Sequence, residues 1–286
     1  MLSRHHAASL TLAVATILAA ACGNETARAP SPAEYDWPDS LAYRIDYVSD
    51  ARRDSVTLLR YVEQKRLNLR LRDERYLAWH DSVLKTSHVP GGGLAVLPLG
   101  PQDTLAYYLG LGRYGEVTDV QLGCDPVVRT CLEAMPSAIR FELRRLMPRL
   151  PVWLAPRGGT WTDTLAWDEA ARPGGSRGTV VTTYNPVRDT AVSGGEYWLV
   201  SWSAVRRAFR PVDPRGAAAL SAETPVAEAG ITLVDKRRLL PVYTTWMGTV
   251  AVPEQLRALG ANEAGFRGRA YLIGTRFDSL FASERQ

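Results

Sequence analysis

Leu41-Ala-Tyr-Arg-Ile-Asp-Tyr47 places Leu41, Tyr43, Ile45 and Tyr47 at every second position, with Arg44 and Asp46 between them. A period of two sends alternate side chains to opposite faces of an extended strand, so one face of this segment is apolar and the other wet. Leu67-Asn-Leu-Arg-Leu-Arg72 repeats the pattern through Leu67, Leu69 and Leu71. Strands with one wet side belong to antiparallel sheets.

Working outward, similar segments predict strands at 76–84, 94–97, 104–111, 117–122, 160–167, 179–184, 196–204, 231–234, 240–249 and 266–279. Glycines at 91–93, 112, 115, 174–175 and 194–195 supply the turns between them. Pro136 to Met147 reads as a helix, with Pro136 at its first position and Ile139, Leu143, Leu146 and Met147 as its apolar stripe. A second, short helix is predicted from Pro253 to Leu259, closed by Gly260. The Ala-rich stretch 216–230 fits neither pattern. Many strands and few helices predict a mainly β, α+β fold: a curved antiparallel sheet or half-barrel with one or two packed helices.

The N-terminus carries a different signal. Arg4, then an apolar run from Ala7 to Ala21, then small residues, has the three-part form of an export signal covering 1–21. The run is too short and Ala-rich for a spanning helix. Leu18-Ala-Ala-Ala-Cys22 resembles the lipobox of bacterial lipoproteins, in which the cysteine receives diacylglycerol after cleavage. The family prefers Leu three residues before the cysteine, and here Leu18 lies four before it. Ala19-x-Ala21 also fits an ordinary signal-peptidase site, which would give simple secretion. The resemblance implies an envelope protein joined to a membrane through Cys22. Asn24 lacks the aspartate that retains some lipoproteins at the inner membrane, so the outer membrane is expected. Residues 22–38, polar and proline-containing, read as a tether to a folded part at 39–286, with two similar halves at about 39–150 and 151–286.

Composition narrows the function classes. The chain has 46% apolar and 22% charged residues, an ordinary globular balance. Its net charge of +4 comes from arginines dispersed among acids; only Lys65, Lys85 and Lys236 are lysines. No basic face is evident, and a nucleic-acid partner is not expected. With Cys22 committed to lipid, Cys124 and Cys131 remain as a pair that an oxidising compartment would join. Closing so short a loop contributes at most ~2–3 kcal/mol. The mature part has only His80 and His88 as imidazoles, so neither a metal nor another cofactor is expected.

Four motifs invite chemistry. Ser82-Val-Leu-Lys85 matches the Ser-x-x-Lys of penicillin-recognising enzymes, but in an unbroken strand residues three apart face opposite ways. Asp163 and Asp168, flanked by Trp161 and Trp167, are candidate acids for glycan hydrolysis or, with the tryptophans, candidate ligand-facing residues. Asp39-Ser-Leu-Ala-Tyr, Asp103-Thr-Leu-Ala-Tyr and Asp163-Thr-Leu-Ala-Trp share a pattern, echoed at Asp278, in which a polar pair opens a strand and an aromatic then faces the core. His88-Val-Pro-Gly-Gly-Gly reads as a glycine-rich hairpin end.

The join at residues 139–167, with Leu-Pro-Val-Trp-Leu-Ala-Pro-Arg-Gly-Gly-Thr-Trp at its centre, resembles an element of uncharacterised bacterial envelope lipoproteins. The layout is similar to half-barrel carriers of lipids or lipoproteins, in which helices close a curved sheet. That resemblance implies a non-catalytic binding or carrier protein for an apolar ligand or an envelope partner. Eight tryptophans and twelve tyrosines could line its concave face or simply form core. The alternatives are a surface scaffold, which predicts an exposed apolar patch, and a glycan-directed hydrolase, which requires two carboxylates facing each other.

Overall fold

The computed structural model describes residues 34–89, 92–99, 104–122, 136–149, 160–170, 176–185, 187–192, 194–213, 216–222 and 225–278. Cys22, Cys124 and Cys131 lie outside the described residues, as do the export signal and Asp103.

Fourteen antiparallel strands form one sheet. They are β1 (Ser40–Arg53), β2 (Val56–Arg72), β3 (Arg75–Val89), β4 (Gly93–Val96), β5 (Thr104–Leu111), β6 (Val117–Leu122), β7 (Trp161–Asp168) and β8 (Arg177–Tyr184). They continue with β9 (Arg188–Val192), β10 (Gly195–Asp213), β11 (Gly216–Ala222), β12 (Val226–Asp235), β13 (Leu240–Thr249) and β14 (Glu263–Leu272). The order across the sheet is β6-β5-β3-β2-β1-β14-β13-β12-β10-β8-β7, with β4 on β3 and β9 and β11 on β10. The first and last strands pair with each other, Ile45 opposite Ala270, which welds the two halves into one surface. The ends β6 and β7 are not paired, so the sheet is open. Among the described residues two helices accompany it, α1 (Pro136–Leu146) and α2 (Glu254–Ala258).

The curvature follows from what α1 touches. Glu142 lies 3.9 Å from Lys65 in β2, and Arg144 pairs with Asp163 in β7. Seven strand-to-strand steps separate β2 from β7 along the sheet. At about 4.8 Å per step a flat sheet would hold them ~34 Å apart. Two side chains only two residues apart on one helix reach both, so the sheet is curled around α1.

The apolar stripe read from the sequence is the buried face of that helix. Ile139, Leu143, Leu146 and Met147 are buried in one cluster with Tyr43, Ile45, Leu67, Leu69, Tyr107 and Leu109 from the sheet. Burying each of the larger side chains contributes roughly 1.5–3 kcal/mol. Tyr43 and Tyr107, the aromatics that end the repeated pattern, are buried as expected. Asp163 departs from that pattern, because it sits within β7 rather than before it.

Several boundaries differ from the sequence reading. The Ala-rich stretch resolves into β11 and the start of β12. The predicted strand 266–279 ends at Leu272, where a turn through Gly274 (φ +79°) leads Phe277 back to stack on Tyr243. Within the segment read as tether, Tyr35 is buried and its hydroxyl donates to the Pro148 carbonyl at 2.9 Å, while the Trp37 indole donates to the Gly112 carbonyl at 2.9 Å. Both aromatics bury apolar surface against the folded part.

Candidate functional site

Strand pairing places one residue from each of nine strands in a single row on the concave face. It runs Lys85, Glu63, Tyr47, Gly268, Trp246, Gly230, Trp202, Tyr184, Trp161. One end is charged. The rest is aromatic and glycine.

The glycines explain the aromatic end. A Cβ on Gly268 would overlap the Trp246 ring, and one on Gly230 would lie 2.7 Å from Trp202 Cε2. Each tryptophan therefore lies over a neighbouring strand that has no side chain, and both rings are buried. Trp161 stacks on Tyr184 at 5.0 Å between ring centroids and donates its indole N–H to the Arg149 carbonyl at 3.0 Å. The aromatics thus pave the sheet beneath α1 instead of lining an empty cavity. The Trp246 indole nitrogen finds no hydrogen-bond partner among the described residues.

At the charged end, β3 carries an extra residue. Lys65 pairs with Ser82 and Gln64 with Leu84, which leaves Val83 as a bulge. The bulge changes the expectation for Ser82 and Lys85, since it returns both side chains to the concave face. Ser82 Oγ donates to Glu63 Oε1 at 2.8 Å, and Lys85 Nζ lies 3.8 Å from the same oxygen. Lys65 Nζ lies 3.4 Å from Glu63 Oε2 and 3.9 Å from Glu142. Burial works against the Lys65 ammonium, but Glu142 and Glu63 hold its pKa above the ordinary lysine value. The Ser82 hydroxyl proton is directed at the Glu63 carboxylate rather than at Lys85. One step along β3, the buried His80 Nε2 meets the Tyr107 hydroxyl at 2.7 Å, while Nδ1 has no partner among the described residues. No cluster of metal-binding side chains occurs among the described residues.

α1 is clasped across this face by charge. Arg145 reaches Glu228 at 2.6 Å and lies 4.2 Å over the Phe141 ring. Arg144 and Arg149 both hold Asp163, Arg149 at 2.9 Å. Asp163, Trp161 and Trp167 share the concave face of β7, as the period of two requires. Asp163 is committed to these arginines, and Trp167 covers Gly178 and donates its indole N–H to Ser176 Oγ at 3.1 Å. Asp168 points to the other face and pairs with Arg177 at 2.7 Å, so Asp163 and Asp168 do not flank a common cleft. The sequence did not single out Glu63, Lys65, Glu142 or Glu228. The rarity of lysine was the signal for one of them.

Outside the concave face, a shallow depression of about 630 Å³ at the rim is lined by Asp39, Ser40, Arg70, Leu71, Asp73 and Glu74. The convex face exposes Val181, Val205, Phe209 and Met247, and the β3–β4 hairpin exposes Leu94 and Val96, each at 68%.

No protein-family model and no curated protein matches the chain. Among solved structures it is similar to lipovitellin, from work on lipid–protein interactions in that protein, with a TM-score of 0.42 and 12% sequence identity. The match covers 83% of this chain and 25% of lipovitellin, so the chain spans about a quarter of that protein's length. A likeness this distant carries no argument.

Proposed function

We propose that this chain is a lipid-anchored envelope protein that binds an apolar or amphipathic ligand along the concave face of its sheet and does not transform it. The observation that supports the reading is the aromatic row roofed by a single helix that is held by ion pairs as well as by its buried apolar stripe. Apolar contacts alone would make α1 an ordinary core element. Arg144, Arg145, Arg149 and Glu142 instead tie it by charge to three separate strands, β7, β12 and β2. On this reading α1 occupies the ligand's place and moves when ligand enters.

The anchor reading is supported by the lipobox-like sequence at Cys22. Native mass spectrometry of protein extracted from membranes addresses both parts. The expected mass includes diacylglycerol on Cys22, a Cys124–Cys131 bond and a co-purifying apolar molecule. A Cys22→Ser variant is expected to leave the membrane fraction. Energy transfer from Trp246 and Trp202 to a fluorescent fatty-acid analogue should report ligand uptake by the whole protein. An unmodified Cys22 would remove the anchor, and absence of any probe binding would remove the carrier.

A second reading is favoured by the exposed convex residues Val181, Val205, Phe209 and Met247. They suit a scaffold that meets an envelope partner through its outer surface. Cross-links from these positions in intact cells, unaffected by changes on the concave face, would favour it.

A further inference from the structure

We propose that one end of the sheet docks on a phospholipid bilayer, with the β3–β4 hairpin and two neighbouring loops entering its surface and Arg52, Arg60 and Arg267 meeting lipid phosphates. The contact is distinct from the concave face and from the anchor read at Cys22. Ser40, where the chain enters β1, lies at the opposite end of that strand. Strand register gathers the three loops. Val56 follows the β1–β2 turn and lies opposite Arg53, and Val89 pairs with Gly93 at the β3–β4 turn. The connection from β13 to β14, which carries α2, is bonded to the same end of β1. There the Asn262 N–H donates to the Arg52 carbonyl and its side-chain Nδ2 to Asp54 Oδ1, both at 2.9 Å.

Each loop leaves an aliphatic side chain in water: Val56 at 55%, Leu94 at 68% and Leu259 at 67% exposure. One such residue needs no explanation, but three on adjacent loops do. The hairpin is the clearest case. From Val89 to Gln102 no residue is charged, and β4 pairs only with β3 among the described strands. An edge strand is normally protected by charge, yet Leu94 and Val96 stand exposed on this one. The three tips are aliphatic, separate and without an aromatic anchor. A protein partner would draw its binding energy from contiguous packed residues, chiefly Trp, Tyr and Arg. A fluid bilayer accepts isolated aliphatic tips wherever they stand.

Charge beside the hairpin gives the surface its sign. Leu94 lies opposite His88, His88 opposite Arg60 and Arg60 opposite Asp50, all on the convex face. The buried Asp50 carboxylate takes Arg60 at 2.8 Å, Arg52 at 2.9 Å and Arg267 at 3.7 Å. None of the three arginines makes an ion pair with any other described residue. Glu263, opposite Arg52 in the register, makes none with a described residue either. Even with Glu263 counted, three cations meet two carboxylates. Each guanidinium has five N–H donors, and one shared carboxylate leaves most of them facing water. Phosphate oxygens suit those donors, since arginine forks match phosphate geometry.

The test uses the Cys22→Ser protein, exported and purified from the soluble fraction so that no lipid anchor contributes. Its sedimentation is measured with vesicles of phosphatidylcholine alone or mixed with phosphatidylglycerol. Binding is expected to both, tighter to the anionic mixture and weakened there by salt. Leu94→Asn with Val96→Asn should weaken binding to both about tenfold. Leu71→Asn, at the opposite end of β2, should change neither. Arg267→Gln leaves Arg52 and Arg60 on Asp50 and should lower affinity about fivefold on the anionic vesicles alone, the contribution of one basic residue at such a surface. Uptake of the fluorescent fatty-acid analogue should be the same in all these proteins, and its absence throughout would overturn the carrier while leaving the rim standing. Vesicle binding that is absent, or that survives the Leu94 and Val96 substitutions, overturns the bilayer contact. Self-association without vesicles that the same two substitutions abolish overturns it too, by assigning the rim to a second copy of the chain. Equal affinity for both vesicle types overturns the part given to the arginines.

Discussion

The Trp246 indole lies over Gly268 on the adjacent strand, so close that a methyl group on Gly268 would overlap the ring at Cζ2. Trp202 stands in the same relation to Gly230, and Trp167 to Gly178. Glycine normally weakens a strand. Here it lets a large ring lie against the sheet under α1, and the concave face stays closely packed while it curls. Gly268→Ala is therefore expected to destabilise the protein by about 1–3 kcal/mol, as overpacking does. Adding Trp246→Leu removes the clash, so the double variant should lose less than the two single losses together. Urea unfolding of the four proteins gives the coupling, and strict additivity would show that ring and glycine do not meet.

The clasp of α1 makes a second prediction. The Glu228 carboxylate is buried, and Arg145 is its partner across the concave face. Glu228→Ala leaves a cation without a partner between Phe141 and Phe266. The expected loss is about 3–5 kcal/mol. Replacing both, Arg145→Met with Glu228→Leu, should restore most of it, since no charge is then stranded. If the double replacement is as damaging as the single one, the pair contributes through geometry that apolar side chains cannot supply.

Much of this was legible from alternation. Leu41, Tyr43 and Ile45 with Leu67 and Leu69 are buried as read, Leu71 at the end of β2 is exposed instead, and the strands at Thr104–Leu111, Val117–Leu122 and Leu240–Thr249 keep the bounds they were given. The first half of β2 was hidden, because Val56 to Lys65 mixes apolar and polar residues on both faces. The charged end of the row was hidden for another reason. A single extra residue at Val83 reverses which side chains share a face, and a bulge leaves no reliable mark in one sequence. Trp161, Asp163 and Trp167, read as candidate ligand-facing residues, share one face of β7, and Asp163 binds the helix that lies over that face.

Acid sensitivity should trace to His80. Burial pushes its pKa below the ordinary histidine value. Once the pH falls below about 6.5, the unfolded chain binds a proton at this residue and the native protein does not. Stability is thus fully present above that pH and declines as the pH falls, until the native imidazole also titrates. Carboxylates titrate lower, so measurements between pH 7.5 and 5.5 isolate the effect. His80→Gln should lower stability overall through loss of the Tyr107 hydrogen bond, yet flatten the slope over this window. An unchanged slope would assign the sensitivity elsewhere.

The β2–β3 hairpin offers a test in the opposite direction. Asp73 (φ 46°) and Glu74 (φ 70°) form its two-residue turn, and both have left-handed backbone conformations. Two positive φ values in succession define the turn type whose twist matches that of the flanking strands. Aspartate tolerates this region because its short polar side chain bonds locally. Glutamate does not, and a left-handed conformation costs a residue with an ordinary Cβ about 1–2 kcal/mol. Glu74 is exposed, so nothing is lost by removing its side chain from packing. Glu74→Gly removes most of that strain but enlarges the unfolded chain's freedom, which offsets part of the gain. Asp73→Asn with Glu74→Gly gives the favoured Asn-Gly turn and is expected to raise stability by ~0.5–1 kcal/mol net. The rise should appear as a higher urea midpoint with an unchanged slope, since the surface buried on folding is the same. A lower midpoint would show that Glu74 contributes an interaction at the rim that outweighs its strain.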